Sequence, residues 1–271
     1  MRRPEAVLLP LLLGLALAGC SRLDFVKPSA KSDFRPERPT YQTRGTAESR
    51  RADAARDQLA LAMRAFQLGD EKTAERDARA ALRNAETAAD ANTLLALLSE
   101  RQGRHAQAGG FYRAAVERAP GRGATLNNYG AWLCRSGRAA ESLPHFDAAL
   151  QDPAYGDRAG ALANAGACAL DAGDLARVEP DLRAALELEP ESAVALDAMA
   201  RYLAGRERWF DARAFSQRRL AVAPATAAAL QLAARIEQGL GDGAAAERLL
   251  QRLEIEFPDA PRLQPRETSP P

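Results

Sequence analysis

Between residues 55 and 260, apolar and small residues recur at helical spacing, and the whole pattern recurs every 34 residues. The clearest window is Leu126-Asn127-Asn128-Tyr129-Gly130-Ala131-Trp132-Leu133-Cys134, where Leu126, Tyr129 and Leu133 share a helical face. With Gly130 set at position 8 of a 34-residue unit, Leu126, Tyr129 and Leu133 take positions 4, 7 and 11. Ser142, Phe146 and Ala149 then take positions 20, 24 and 27, and Pro153 follows at 31. One step back brings Leu95-Ala96, Ala108, Tyr112, Ala115 and Pro120 into register. A second step brings in Leu61-Ala62, Gly69, Ala74, Ala78 and Ala81. Going forward, Asp157 and Arg158 are inserted, and a unit from Ala159 carries Leu162, Ala165-Gly166, Leu182, Ala185 and Pro190. The next carries Leu196, Met199-Ala200, Ala212 and Pro224, and the last Leu230, Ala233-Ala234, Ala246, Leu250 and Pro258. Each unit predicts two helices. Small residues at positions 8 and 20 let the pair approach closely. The large residue near 24 and the small one at 27 seat the second helix on the next unit, and proline stops it. One pair cannot bury its apolar face alone, whereas stacked pairs can.

This phase resembles the tetratricopeptide repeat. It implies an all-α fold, a tetratricopeptide-repeat superhelix of about six helix-turn-helix units, over residues 55–260.

The ends read differently. Arg2 and Arg3 precede an apolar run from Val7 to Ala18, too short to span a bilayer comfortably, and Leu17-Ala18-Gly19-Cys20 follows. That stretch resembles the bacterial lipobox, which implies a signal peptide over 1–19, cleavage before Cys20 and acylation of Cys20. A plain secretory signal with a chance cysteine is the alternative. By resemblance to enterobacterial lipoprotein sorting, Ser21 in place of Asp implies the outer membrane over the inner. Several acyl chains anchor stably, since each buried methylene contributes about 0.8 kcal/mol. Residues 20–54 are expected to be the lipidated N-terminus and a flexible tether, with Pro28, Pro36 and Pro39 and no sustained apolar period. Residues 261–271, rich in proline, are expected to be a disordered tail.

Removing residues 1–19 takes the formal charge from +1 to zero, so nothing suggests a nucleic-acid partner. No phosphate loop, nucleophile elbow or His-Glu-x-x-His helix is present, so neither catalysis, nor a cofactor, nor a small-molecule substrate is expected. The two histidines, His105 and His145, fall on second helices as expected surface residues, and no zinc site is expected. Cys134 and Cys168 stand on the first helices of adjacent units. A disulfide is the expected reading in an oxidising compartment, and two buried thiols too far apart is the alternative.

Candidate partner-binding residues lie on first helices. Met63 and Phe66 fall at positions that either line a groove or cap the array's end. Asn127 and Asn128 offer amides that both donate to and accept from a peptide backbone, although paired asparagines also occur in generic units. Arg135 is about two turns beyond. Three further features need a structural answer. Gly109-Gly110 interrupts a second helix, for which plain tolerance is the expected reason over close approach of another helix or of a partner. Pro144 and Pro180 share a register and predict a bend or a first-turn placement. The face formed by Leu249, Leu250, Leu253, Ile255 and Phe257 is expected to bury on the preceding helix; a partner contact is the alternative.

The stretches Leu126-Asn127-Asn128-Tyr129-Gly130 through Cys134, Ala140-Glu141-Ser142 with Phe146 to Leu150, Asp152-Pro153-Ala154-Tyr155, and Asn164 to Cys168 resemble the type IV pilus biogenesis and stability lipoprotein family. The Asp-Pro-x-Tyr segment with the insertion after it is not a generic repeat feature. The resemblance implies a pilotin: an outer-membrane lipoprotein on the periplasmic face that helps the pilus secretin reach the membrane and form its ring. It also matches a cysteine pair found in some members. A general repeat-scaffold lipoprotein for outer-membrane protein assembly or cell-wall synthesis is the alternative.

Overall fold

The computed structural model describes residues 45–260. The expected signal peptide, Cys20, the tether up to residue 44 and the tail from 261 lie outside the described residues. Six helix-turn-helix pairs follow one another: α1 (Ala47–Gln67) with α2 (Glu71–Ala81), α3 (Ala85–Arg101) with α4 (His105–Arg118), and α5 (Gly123–Arg135) with α6 (Ala139–Gln151). The chain continues with α7 (Arg158–Ala172) and α8 (Leu175–Leu188), α9 (Ala193–Gly205) and α10 (Trp209–Val222), and α11 (Ala227–Gly239) and α12 (Gly243–Glu256). Among the described residues there is no strand, and no helix is long and apolar enough to cross a membrane.

Helix α1 starts at Ala47, so the array begins before residue 55. Thr46 caps it, its hydroxyl accepting from the Ser49 amide at 3.1 Å, and Ala52 is already buried. Residues 47–54 therefore add about two helical turns to the first unit.

The small residue at position 8 makes room for the large one at position 24 of the same unit. A Cβ on Gly130 would sit 2.9 Å from Phe146 Cε1, and one on Gly166 would sit 2.7 Å from the Leu182 side chain. Phe146 and Leu182 are fully buried. The fifth unit departs from this plan. Ser216 occupies the register and leaves a partly open cavity of about 110 Å³ lined by Leu220, Ala233, Ile236 and Leu249. The turns inside five units place Gly69, Gly103, Gly137, Gly173 and Gly241 at positive φ, and Glu207 takes the same place in the fifth, at φ 57°.

Gly109 and Gly110 divide. A Cβ on Gly109 would lie 2.2 Å from the Trp132 indole, whereas nothing lies within 4 Å of one on Gly110. Close approach of α5, not tolerance, accounts for Gly109. Gly109→Ala is expected to destabilise by about 1–3 kcal/mol through overpacking. Gly110→Ala is expected to stabilise by up to about 1 kcal/mol through helix propensity. Paired thermal melts check both signs.

Pro144 and Pro180 lie inside α6 and α8, beyond the first turn. Both are exposed, and so are Ala140 and Ala176 one turn earlier, whose carbonyls lose a helical donor. Water can satisfy those carbonyls. On α12, Leu253 is buried and Leu249, Leu250 and Phe257 are partly so, while Ile255 remains 80% exposed.

Each first helix packs closely on the first helix of the next pair, whereas successive second helices stand farther apart, α6 and α8 being joined by the Arg177–Asp147 ion pair at 2.8 Å. The stack is thus tighter along its first-helix side, which forms the inner face.

Candidate protein-binding face

At one end the inner face is apolar. Met63 on α1 is 50% exposed, and Leu97, one repeat later on α3, is 38% exposed. Leu97 was legible in the sequence as the residue 34 positions after Met63. Phe66 is half-buried and already covered: the Arg101 guanidinium lies 4.0 Å above its ring, and Arg101 Nη1 donates to the Phe66 carbonyl at 3.2 Å. Met63 and Leu97 thus present apolar surface that Phe66 does not.

The middle is held together by cross-helix bonds. Arg135 Nη2 donates to Glu100 Oε1 at 2.7 Å, and the buried Tyr112 hydroxyl donates to Glu100 Oε2 at 2.7 Å. Burial first, then the hydrogen bond to Glu100 and after it the Glu100 charge, hold the Tyr112 phenol far above its usual range. Arg135 therefore clasps the third repeat to the second as well as facing solvent. Asn127 is only 8% exposed, and its carbonyl oxygen accepts from Asn164 Nδ2 at 3.1 Å. The expectation of a fully available Asn127 is corrected to that extent: a helix-to-helix bond takes its acceptor. Asn128 is half-buried and its side chain makes no hydrogen bond among the described residues. Cys134 and Cys168 form a disulfide between α5 and α7, with Cα atoms 5.8 Å apart. That separation is within the range a disulfide requires.

Towards the other end, Arg201 on α9 bridges Asp171 at 2.9 Å and Asp197 at 3.2 Å. Arg235 on α11 is exposed and makes no ion pair among the described residues. No cluster of metal-ligating side chains occurs among the described residues.

His105 is exposed, but His145 is not the surface residue expected. It is half-buried with its ring edge-on to Tyr129, centroids 4.9 Å apart. Burial lowers its pKa, opposed by the nearby Glu141 charge. The folded pKa lies below the unfolded one, so this site stabilises the fold above the unfolded value, about 6.5, and loses that contribution as pH falls through the folded value. His145→Gln is expected to flatten the stability-versus-pH curve below about pH 6.5, which denaturation at several pH values checks.

The Asp-Pro-x-Tyr segment closes the third unit back onto its own start. Asp152 Oδ2 accepts from the Gly123 amide at 2.7 Å, and Oδ1 accepts from the Ala154 amide at 2.9 Å. These bonds hold its carboxyl below the usual range, the Gly123 amide contributing most. Tyr155 packs on Gly123, where a Cβ would meet its side chain at 2.5 Å.

Solved structures share this arrangement. The chain superposes on YrrB, described as a TPR protein with an unusual peptide-binding site, with a TM-score of 0.51 and 17% identity over 68% of this chain and 96% of that one. The fold is a tetratricopeptide-repeat array. It is also similar to PilW, a widely conserved type IV pilus biogenesis factor, with a TM-score of 0.68 and 27% identity over 76% of this chain and 95% of PilW. PilF of Pseudomonas aeruginosa aligns with a TM-score of 0.67 and 24% identity over 78% of this chain and 95% of PilF. No family model and no curated protein matches the sequence. The tetratricopeptide array thus carries its cross-helix bonds and its apolar patch on the inner face.

Proposed function

We infer that this chain is a type IV pilus biogenesis protein that works by binding a protein partner, without catalysis. The carrying observation is the similarity to PilW, which spans nearly all of PilW and most of this array. The finer reading is a pilotin. Cys20, acylated, supplies the membrane address on the periplasmic face of the outer membrane. The inner face, with Met63, Leu97, Asn127, Asn128 and Arg135, takes a segment of the pilus secretin, and this assists secretin localisation and ring assembly. The lipobox-like Leu17-Ala18-Gly19-Cys20 supports the address, and the exposed apolar pair Met63 and Leu97 supports the binding face.

The test is the state of the secretin in outer-membrane fractions of cells lacking the gene. Heat-resistant multimers should disappear, return with wild type, and fail to return with Cys20→Ala. Unchanged multimers in the deletion strain would sink the pilotin reading.

A further inference from the structure

The fifth repeat departs from its neighbours at two positions, in opposite senses. Position 24 holds Tyr112, Phe146, Leu182 and Leu250 in repeats two, three, four and six, but Ser216 in repeat five. Position 18 is alanine in those same four repeats, at Ala106, Ala140, Ala176 and Ala244, but Phe210 in repeat five. The repeat thus lacks a large side chain inside and carries an additional one outside, Phe210 being 76% exposed. The cavity of about 110 Å³ that Ser216 leaves lies where α10, α11 and α12 meet. At about 30 Å³ per water-sized group it has room for about four, the tip of one large apolar side chain. It is open to the outside. The buried Ser99 and Ser142 donate to helix carbonyls at 2.7 and 2.6 Å, whereas the Ser216 hydroxyl makes no hydrogen bond among the described residues and is in reach of solvent. Phe210 cannot fill the cavity of its own chain, because it stands six residues before Ser216, about 9 Å along the same helix. Both nevertheless belong to one surface. Phe210, Ala214, Gln217 and Ala221 form an exposed, uncharged stripe at helical spacing, and Gln217 lines the rim of the cavity.

We propose that two copies of this chain pair through their outer faces, α10 crossing its counterpart antiparallel, with Phe210 of each copy inserted into the Ser216 cavity of the other. A twofold interface requires that residue i meet residue j while j meets i. A protruding ring at position 210 and a cavity rim at 217, on one face of one helix, meet that requirement when the axis passes midway, beside Arg213 and Ala214. Ala214 is small, which lets the two helices approach. Arg213 brings no bare charge to the crossing, since its Nε donates to Glu237 Oε1 at 2.9 Å. The chain without residues 1–19 has zero formal charge, so two copies carry no net repulsion. A single helix crossing buries less than a standard interface, so the pair should be weak, with a Kd of ~1–100 µM. The inner face stays free in such a pair.

Sedimentation equilibrium of the full chain in density-matched detergent tests this. Wild type should show a reversible monomer–dimer equilibrium. Phe210→Ala removes the inserted ring and Ser216→Leu fills the cavity. Each should weaken dimerisation at least tenfold, because a symmetric pair loses the contact twice. Mixed in equal amounts, the two variants should pair more tightly than either does alone. The Ser216→Leu chain still carries Phe210, and the Phe210→Ala chain still carries the cavity. Both should fold, since Phe210 is exposed and Leu182 fills the same register in repeat four. Thermal melts check that, and if Ser216→Leu melts below wild type, Phe210→Ala alone decides. A chain that is monomeric at about 0.5 mM, well above the expected Kd, overturns the proposal and leaves the cavity to a foreign side chain. A dimer insensitive to Phe210→Ala, or two well-folded variants that gain nothing on mixing, overturns it as well.

Discussion

Phe146→Ala is expected to destabilise the array by about 3–5 kcal/mol, the range for removing a fully buried aromatic ring. Phe146 has no exposed surface and fills the space that Gly130 leaves open, with its Cε1 2.9 Å from where a Cβ would be. It also packs in one cluster with Ala165 and Cys168, against Ala131, Cys134 and Leu143, at the junction of repeats three and four. An array is stabilised by each repeat and each interface between neighbours, so the loss acts on both. For a chain of this size it corresponds to roughly 10 °C in Tm, measured by circular dichroism. Phe146→Leu, which keeps most of the volume, should recover a large part of the loss.

Reduction of the Cys134–Cys168 disulfide, or Cys134→Ser, is expected to remove about 3–4 kcal/mol in the chain-entropy account for a loop of this length. The bond joins residues 34 apart and ties two neighbouring repeats, the place where an array otherwise opens. The expected shift is again roughly 10 °C, read as the difference between melts with and without reductant. Cys134→Ser should melt alike in both conditions. Because both cysteines pack beside Phe146, the double variant Phe146→Ala with Cys134→Ser should lose less than the two losses added together.

The fold was legible because its determinants are periodic. Once Gly130 fixed the phase, the position of every helix pair followed from residues 34 apart, with the one insertion of Asp157 and Arg158, and even Glu207 stands where the other units have glycine. The early start of α1 was hidden because residues 47–54 are mostly polar, and only the Thr46 cap and buried Ala52 mark them as helix. Gly109 was misread for a different reason. The residue that demands it, Trp132, is 23 positions away on another helix, and no local pattern reports that contact. The same holds for His145, half-buried with its ring against Tyr129 across the pair, and for Asn127, whose oxygen is taken by a residue of the next repeat. Register placed Met63, Asn127, Asn128 and Arg135 on first helices. It did not reveal that Phe66 lies under Arg101 or that Arg135 clasps Glu100, because such bonds depend on side-chain reach between repeats.

Site-specific photocrosslinking in cells compares the two faces of the array directly. A photoreactive residue is placed at Leu97 on the inner face, and in a second strain at Arg113, exposed on the second helix α4. The pilus secretin should be captured from position 97 and not from position 113. Capture from 113 alone, or no secretin from either position, contradicts an inner face that binds it.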